Sequence, residues 1–273
     1  MKRYAVIGNP IGHSLSPPMH NAAFKAMGVD ARYEAVEVKN LRKAWPELKK
    51  KYSGINVTIP HKVAIMELLD EKELAADLVG AVNCLDFSDG IAKGYNTDLY
   101  GAVGALKTAV PKLKTKKVLV LGAGGAARAV VYGCLLEGAS VFVHNRTALT
   151  ALELAMEVEA KVSKKINIMD TIDLHGIDVL VNATSVGMAP KSDETPLTSP
   201  IPSNIGRKLV VMDVIYNPLE TKLLRDAKKA GAKTINGAEM FVLQGAESLQ
   251  IWGYEPPVEV MRKAVLKELR GSR

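Results

Sequence analysis

The chain has 273 residues, of which 48% are hydrophobic, so it can bury two hydrophobic cores and two domains are expected. Its 36 lysines and arginines exceed its 29 acidic residues, and the net charge of +7 suits an anionic cofactor and an acidic substrate. Aromatic residues make up only 5% of the chain and do not alternate with basic ones, which excludes nucleic acid as the expected partner.

The first part of the chain alternates short apolar runs with helical patterns, which is typical of an α/β domain. The pattern predicts strands over residues 3–8, 32–38, 54–58, 81–85 and 90–95, and helices over residues 17–27, 41–52 and 62–69. A further helix over residues 99–109 is expected to connect this domain to the next one.

The second half repeats strand and helix in the manner of a doubly wound, mostly parallel sheet. Strands are predicted over residues 117–121, 140–144, 166–169, 177–183, 209–214 and 233–235, and helices over residues 126–137, 148–160 and 221–230. Residues 190–203, rich in Pro, Ser and Thr, are expected to form a loop, and two helices follow over residues 238–252 and 258–269.

Residues 117–128, KVLVLGAGGAAR, have the pattern of a dinucleotide-binding turn. In this fingerprint Gly122 permits the tight turn, Gly124 lets backbone N–H groups approach a pyrophosphate, and Ala127 stands where a third glycine allows close helix–strand packing. The anion would lie at the helix N-terminus, where unpaired N–H groups favour negative charge. A plain glycine turn is the alternative, but the strand before Gly122 and the Ala/Val-rich helical pattern after Gly125 favour a dinucleotide site.

The end of the next strand indicates which dinucleotide. An NAD site usually has an acidic residue about 20 positions after the glycines, where it bonds the ribose 2′-hydroxyl. No acid occurs there, and the sequence is Asn145-Arg146-Thr147. A guanidinium matches a phosphate bidentately, so Arg146 predicts NADP(H). In the alternative interpretation Thr147 is a plain helix N-cap and Arg146 is solvated, and the two roles can coexist.

Targeting and redox features predict a cytoplasmic protein. No apolar run reaches membrane-spanning length, and the N-terminus enters a strand-like segment without a signal-peptide pattern. Cys84 and Cys134 lie in apolar surroundings, which is typical of free buried thiols in a reducing compartment. The histidines show no metal-like pairing and are interpreted as structural or capping residues: His13, His20, His61, His144 and His175.

Polar side chains outside the dinucleotide motif cluster at predicted strand ends, where α/β sheets bind ligands. The Ser14 and Ser16 hydroxyls either donate to a carboxylate at a helix N-terminus or cap that helix. Thr58 and Lys62 flank Pro60 at a strand-to-helix junction, where a lysine is usually a solvated surface charge. Asn83 and Asp98 lie at two further predicted strand ends: Asn83 in GAVN and Asp98 in YNTD.

Nine ordered motifs closely resemble the shikimate dehydrogenase family over nearly the whole chain: GNPIGHSLSP, NVTIPHK, GAVN, NTD, GAGGAA, NRT, NATSVGM, DVIYNP and LQGA. The resemblance implies an N-terminal α/β substrate domain plus a doubly wound Rossmann-type NADP-binding domain, with a cleft between them. Residues 1–101, joined by the C-terminal helices of residues 238–273, would form the first domain, and residues 102–237 the second.

The resemblance also implies the site residues. Ser14 and Ser16 would bind the substrate carboxylate, and Lys62 would be the catalytic residue, paired with Asp98. The residues implied to hold the ring hydroxyls or complete the pocket are Thr58, Lys62, Asn83, Asp98, Tyr216 and Gln244. The residues implied to line the NADP site are Gly122, Ala123, Gly124, Gly125, Ala126, Asn145, Arg146, Thr147, Val214 and Gly237. No metal is implied.

The activity implied by the resemblance is the reversible, NADPH-dependent reduction of 3-dehydroshikimate to shikimate, within chorismate and aromatic amino acid biosynthesis. A ketone oxygen must gain a proton as hydride reaches its carbon, so a positioned acid is needed. Asp98 beside Lys62 would favour the ammonium form that gives up this proton.

Two other functions compete with this prediction. An NAD-using quinate/shikimate dehydrogenase is disfavoured by Arg146, and a catalytically idle shikimate-sensing protein is disfavoured by the presence of both Lys62 and Asp98. The expected partner is a small-molecule substrate, with neither nucleic acid nor membrane. The helical surfaces are compatible with a homodimer, although no patch is diagnostic of one.

One position departs from the family pattern. Family members commonly carry Lys or Arg three positions after the threonine of the NRT motif, and this chain has Thr150 there. The second cation over the 2′-phosphate is therefore expected to be missing, which would weaken the preference for NADP without changing its direction.

Overall fold

The computed structural model describes residues 1–271, and the chain divides into two compact units. The first unit contains Met1–Tyr100 together with the chain from Val242 onward, and the second contains Gly101–Phe241. Both boundaries fall inside helices, one in the helix Thr97–Lys107 and the other in the helix Gly237–Ile251.

The first unit alternates strands and helices, as its sequence pattern predicts. Its elements are β1 Lys2–Gly8, α1 Ser16–Met27, β2 Ala31–Glu37, α2 Leu41–Lys51, β3 Gly54–Val57, α3 His61–Ala64, a 3₁₀ helix Ile65–Leu68, β4 Glu71–Lys72, α4 Leu74–Val79, β5 Cys84–Asp86, β6 Lys93–Tyr95, the start of α5 Thr97–Lys107, and the C-terminal α10 Gly237–Ile251 and α11 Val258–Gly271.

Three details of this unit differ from the prediction. The helix predicted over residues 62–69 is a single α-helical turn followed by the 3₁₀ helix. The strands predicted over residues 81–85 and 90–95 are shorter and begin only at Cys84 and Lys93. The sequence pattern missed β4 and α4, since two and six residues are too few to show a period.

The first sheet has the strand order β2-β1-β3-β5-β6-β4 and mixed direction. β1 is parallel to β2 and β3, while β5 is antiparallel to β3 and β6. The fully buried side chains of Ile7, Ile55 and Leu85 come from three of these strands and form a core with residues of α2. This core holds the polar ends of the strands in place.

The second unit repeats strand and helix around a parallel sheet. It contains the rest of α5, then β7 Lys117–Leu121, α6 Gly125–Leu136, β8 Ser140–His144, α7 Ala148–Val162, β9 Asn167–Ile168, β10 Val179–Asn182, α8 Ser203–Gly206, β11 Val210–Asp213, α9 Lys222–Lys229, β12 Lys233–Ile235 and the start of α10. The sequence pattern did not predict the four-residue α8.

The strand order of this second sheet is β12-β11-β10-β7-β8-β9, and neighbouring strands pair in parallel throughout. Counted from β7, this is the order 3-2-1-4-5-6 of a doubly wound dinucleotide-binding sheet, read from the opposite edge. Four of the five residues of β7 are buried, as expected for a central parallel strand covered on both faces. The predicted doubly wound fold is confirmed.

Among residues 1–271, none of the helices combines the length and apolar character that crossing a lipid bilayer requires.

Candidate active site

One edge of the first sheet collects most of the residues implied in substrate binding. Because β5 runs antiparallel to both β3 and β6, its amino end lies beside their carboxyl ends, and the carboxyl end of β1 lies next to that of β3. The polar residues that follow or precede these strand ends are Ser14, Ser16, Thr58, Lys62, Asn83 and Asp98.

Lys62 and Asp98 form an ion pair in this group. Lys62 lies on α3 and Asp98 in the first turn of α5, and the lysine Nζ donates to the aspartate Oδ2 at 2.5 Å. The two side chains are 29% and 16% exposed, so a small molecule can reach a pair that is partly shielded from water. An ammonium has three N–H donors and Asp98 accepts one, which leaves two for a ligand oxygen.

Asn83 has a defined amide orientation. The backbone N–H of Thr97 donates to Asn83 Oδ1 at 2.7 Å, and since an N–H cannot accept, the oxygen must face it. Asn83 Nδ2 donates to the Thr97 hydroxyl at 3.0 Å, which leaves one amide hydrogen for a ligand. Gln244 Oε1 lies 3.4 Å from the same hydroxyl. Thr58 is half-buried in the turn between β3 and α3.

Ser14 and Ser16 do not act as side-chain caps of α1. The N-cap residue is Leu15, and no side chain caps the helix. Ser14 Oγ accepts the N–H of Ser16 at 3.3 Å, so its own hydrogen is available to a ligand. Pro17 and Pro18 follow and have no N–H, so the first turn offers few backbone donors to an anion. A carboxylate at this helix end would therefore depend on the serine hydroxyls.

The turn after β7 has the geometry expected of a dinucleotide-binding turn. Gly122 adopts φ +108°, a conformation that favours glycine. Gly124 and Gly125 are exposed, and a methyl group added to either would meet no protein atom within 4 Å. Neither glycine is required by packing within the protein, so the space in front of them suits a ligand. No side chain caps α6, whose first N–H groups are therefore available to a pyrophosphate.

Arg146 follows β8 at the carboxyl edge of the same sheet. It is exposed, and no carboxylate within residues 1–271 pairs with its guanidinium. Thr147 is the N-cap residue of α7, but its side chain makes no capping hydrogen bond, so the alternative of a plain side-chain cap is not observed. Asn145 Nδ2 donates to the Thr147 carbonyl at 2.9 Å and shapes the turn. An unpaired guanidinium at this edge fits a 2′-phosphate.

The remaining implied residues lie in the second unit at the ends of β11 and β12. Val214 directly follows β11. A methyl group added to Gly237 would lie 2.2 Å from the Val214 carbonyl oxygen, so a glycine is required there by close backbone approach. The Tyr216 ring packs against Phe241 at 5.0 Å between centroids, and burial raises the pKa of its hydroxyl, which therefore stays protonated.

Two family matches cover most of the chain. Residues 6–85 match the shikimate dehydrogenase substrate binding domain, and residues 105–213 match the shikimate / quinate 5-dehydrogenase family. The chain belongs to the shikimate dehydrogenase family.

Similar proteins agree with this assignment. The "Shikimate dehydrogenase (NADP(+))" of Methanocaldococcus jannaschii is 44% identical over 278 residues, covering 98% of this chain and 97% of that protein. A crystal structure of a shikimate dehydrogenase in complex with NADP+ has a TM-score of 0.92 and 44% identity, covering 98% of this chain and 96% of the other. Shikimate 5-dehydrogenase from Thermus thermophilus, in complex with NADP(H) and shikimate, has a TM-score of 0.86 and 36% identity, covering 98% and 100%.

The structure also shows a buried polar network that sequence reasoning missed in this shikimate dehydrogenase family member. Its members are Tyr33, Asn56, Thr97 and Ser248, all buried in the first unit. An amide in the middle of the apolar strand β3 was a signal for it, because buried polar groups require partners. The partners could not be inferred, since Asn56 and Ser248 are 192 positions apart.

The cysteines and two of the histidines lie in surroundings that indicate a structural role. Cys84 and Cys134 are free and buried, as predicted, and burial raises the pKa of both thiols, so neither is a ready nucleophile. His61 and His144 contact backbone carbonyls, at 2.6 Å and 2.9 Å. Over the part of the chain that the structure describes, no group of three or more His, Cys, Asp or Glu is arranged to hold a metal ion.

Proposed function

We propose that this protein catalyses the reversible, NADPH-dependent reduction of 3-dehydroshikimate to shikimate. The observation that supports this most strongly is the Lys62–Asp98 ion pair of 2.5 Å at a partly exposed sheet edge, in a chain of the shikimate dehydrogenase family. The pair provides the one group that carbonyl reduction requires from the protein, a positioned proton donor. In the reverse direction, the CH–OH group of shikimate is oxidised to the ketone.

The proposed chemistry assigns separate roles to Lys62 and Asp98. NADPH, when bound, supplies the hydride that reaches the ketone carbon. Lys62 Nζ gives a proton to the ketone oxygen, and Asp98 holds the ammonium in place through its hydrogen bond. In the oxidative direction Lys62 must first be neutral in order to accept the hydroxyl proton.

The substrate is held by donors at its two ends. Ser14 and Ser16 bind the carboxylate, because the prolines after them leave that helix end without its usual N–H donors. Asn83, with one amide hydrogen available, binds a ring hydroxyl together with Thr58 and Gln244. Tyr216, whose hydroxyl stays protonated because burial raises its pKa, is proposed as a further donor to the substrate.

The cofactor is held by the glycine turn and the cation after β8. When NADP(H) is bound, backbone N–H groups from Gly122 to Ala126 would hold its pyrophosphate, and Asn145, Arg146 and Thr147 would hold the adenosine ribose and its 2′-phosphate. Val214 and Gly237 would be further contacts of the cofactor. The open space in front of Gly124 and Gly125 and the unpaired Arg146 support this assignment.

The protein acts on small molecules in the cytoplasm, without nucleic acid or membrane as a partner, and its helical surfaces are compatible with a homodimer. Its two free, buried cysteines are suited to a reducing compartment.

One assay separates the proposed function from the alternatives. Oxidation of NADPH and of NADH is followed spectrophotometrically with 3-dehydroshikimate, and the reverse reaction with shikimate and quinate. The proposal expects turnover with NADPH and a preference for shikimate. Preference for NADH and quinate would identify the quinate enzyme, and shikimate binding without turnover would identify a sensing protein.

A further inference from the structure

The Asn56 side chain is the centre of the buried network beneath the proposed substrate site. It lies on β3 and is almost fully buried. Its Nδ2 donates to the Asn83 carbonyl at 3.1 Å and to Ser248 Oγ at 2.9 Å. Ser248 in turn donates to the Gln244 carbonyl at 3.0 Å. Both hydrogens of the Asn56 amide are therefore donated to residues that belong to, or directly adjoin, the proposed substrate site.

Tyr33 supplies the partner of the oxygen of this amide. Its hydroxyl donates to Asn56 Oδ1 at 2.7 Å. The Asn83 carbonyl can only accept, so it fixes Nδ2 on its own side, and the Tyr33 hydroxyl holds the opposite end of the amide. Without this donor, Asn56 Oδ1 would be a buried acceptor with no partner, and one of the three contacts that hold the amide would be lost.

Tyr33 itself is fixed along its whole length. Although β2 is an edge strand, the Asn21 amide contacts both backbone groups of Tyr33, at 2.9 Å and 2.8 Å. The Tyr33 ring stacks on His20 with centroids 4.2 Å apart. His20 Nδ1 lies 3.1 Å from the Ser16 carbonyl, so the same ring also contacts the helix that begins at the proposed carboxylate site.

We propose that Tyr33 is a positioning residue of the active site. Its hydroxyl orients Asn56, and Asn56 sets the positions of Asn83 and, through Ser248, of Gln244. Tyr33 does not touch the substrate. This inference rests on the proposed function, since Asn83 and Gln244 matter only if the substrate's ring hydroxyls bind there.

Tyr33→Phe tests this role because it removes the hydroxyl and keeps the stacked ring. We expect the KM for shikimate to rise about 5–20-fold, because Asn56 Oδ1 loses its donor and the Ser16 side chain also loses its hydrogen bond with the Tyr33 hydroxyl. The kcat should fall by less than about threefold and the KM for NADP should stay within about twofold, since Lys62, Asp98 and the second unit are untouched.

Tyr52→Phe is the matched control. Tyr52 is also buried in the first unit, and its hydroxyl also donates to a side-chain oxygen, Glu34 Oε1 at 2.6 Å, but neither group contacts Asn56. This variant should lose stability in urea unfolding and keep the wild-type KM. Ser248→Ala probes the other arm of the network without altering Tyr33, and it should also raise the KM. Because both act through Asn56, the double variant should be less impaired than the product of the two effects.

The outcomes distinguish this inference from the proposed function. If Tyr33→Phe loses stability but keeps its KM for shikimate within about twofold, or if Tyr52→Phe raises the KM equally, Tyr33 is only structural and the proposed function still stands. If the wild-type protein neither binds shikimate in calorimetry nor oxidises it, both proposals are overturned.

Discussion

At the scale of single residues, the proposed proton transfer depends on Lys62 and on its ion pair with Asp98. Asp98 is the one carboxylate in contact with its ammonium within residues 1–271, and the pair is partly exposed. A lysine in this position can act in two ways, by placing positive charge near a developing alkoxide or by giving up a proton. Substitution by arginine separates the two, because a guanidinium keeps the charge but hardly releases a proton near neutral pH.

The first prediction follows from this difference. Lys62→Ala should lower kcat for 3-dehydroshikimate reduction by about 10²–10⁴-fold, the usual effect of losing a general acid. Lys62→Arg should be impaired as well. Steady-state kinetics with NADPH measure both, and the KM for NADPH should stay within about twofold as an internal control. Near wild-type turnover by Lys62→Arg would mean that Lys62 only places charge and that the proton comes from elsewhere.

The second prediction concerns cofactor choice. Arg146 has no carboxylate partner within residues 1–271, so its guanidinium can pair with a phosphate at no cost to another contact. Arg146→Ala should weaken NADPH binding about 10–100-fold and leave NADH binding nearly unchanged. Fluorescence titration measures both. Arg207→Ala is the control, because this exposed arginine precedes β11 and so lies at the amino edge of the sheet; it should change the affinity for neither cofactor. Equal losses of affinity for both cofactors in Arg146→Ala would assign Arg146 a structural role.

At the scale of elements, two turns that follow parallel strands each contain a glycine, one suited to ligand binding and the other required by packing. Gly125 of the motif GAGGAA and Gly237 are each the first residue of a helix, α6 and α10, yet their surroundings differ. Gly125 faces open space, whereas Gly237 faces the Val214 carbonyl. Sequence alone could not tell these apart, because the difference lies in what another strand end places opposite each Cα.

The third prediction uses this contrast. Gly125→Ala should keep or slightly raise stability, because alanine favours the first turn of α6, and should weaken NADPH binding by about tenfold through overpacking against the pyrophosphate. Gly237→Ala should lower the free energy of unfolding by about 1–3 kcal/mol, because a backbone oxygen cannot move aside. Thermal unfolding with and without NADPH measures both. A Gly125→Ala protein that binds NADPH like the wild type would contradict the proposed cofactor site.

The same scale shows which elements a sequence predicts. β7, α6 and β8 match their predicted bounds to within one residue, because long apolar runs and a glycine turn specify them locally. β4, α4 and α8 were missed, since each is too short to have a period and is held by tertiary contacts instead. Most candidate site residues could be located from the sequence as well, because they lie in short motifs next to predicted strand ends.

At the scale of the whole molecule, the parts that the sequence could not predict are the ones that connect distant segments. The hydrogen bond from Asn56 to Ser248 and the Thr97–Gln244 contact join the N-terminal part of the first unit to its C-terminal helix. The Asn56–Ser248 bond is buried and the Thr97–Gln244 contact is partly buried, so the first unit folds around polar groups that need partners. These amides and hydroxyls do not titrate, so a pH dependence of the stability of this unit must come from an ionisable side chain buried beside them.

His20 is the group that makes the molecule sensitive to mild acid. It is fully buried between Tyr33 and Trp252, and burial lowers its pKa from 6.5 to about 4. Between these two values the unfolded chain binds the proton and the folded chain does not, so the free energy of unfolding falls as the pH falls from 6.5 toward 4. Titration of this ring alone accounts for a loss of about 3 kcal/mol once the pH is below 4.

The fourth prediction is that His20→Gln removes this dependence. A glutamine amide can still donate to the Ser16 carbonyl but does not titrate, so the variant should be less stable at pH 7 and show a flatter profile between about pH 6.5 and 5. Urea unfolding at half-unit pH steps measures the slope. His13→Gln, at an exposed ring, is the control and should keep the wild-type slope. An unchanged slope in His20→Gln would mean that groups other than His20 cause the loss of stability in acid.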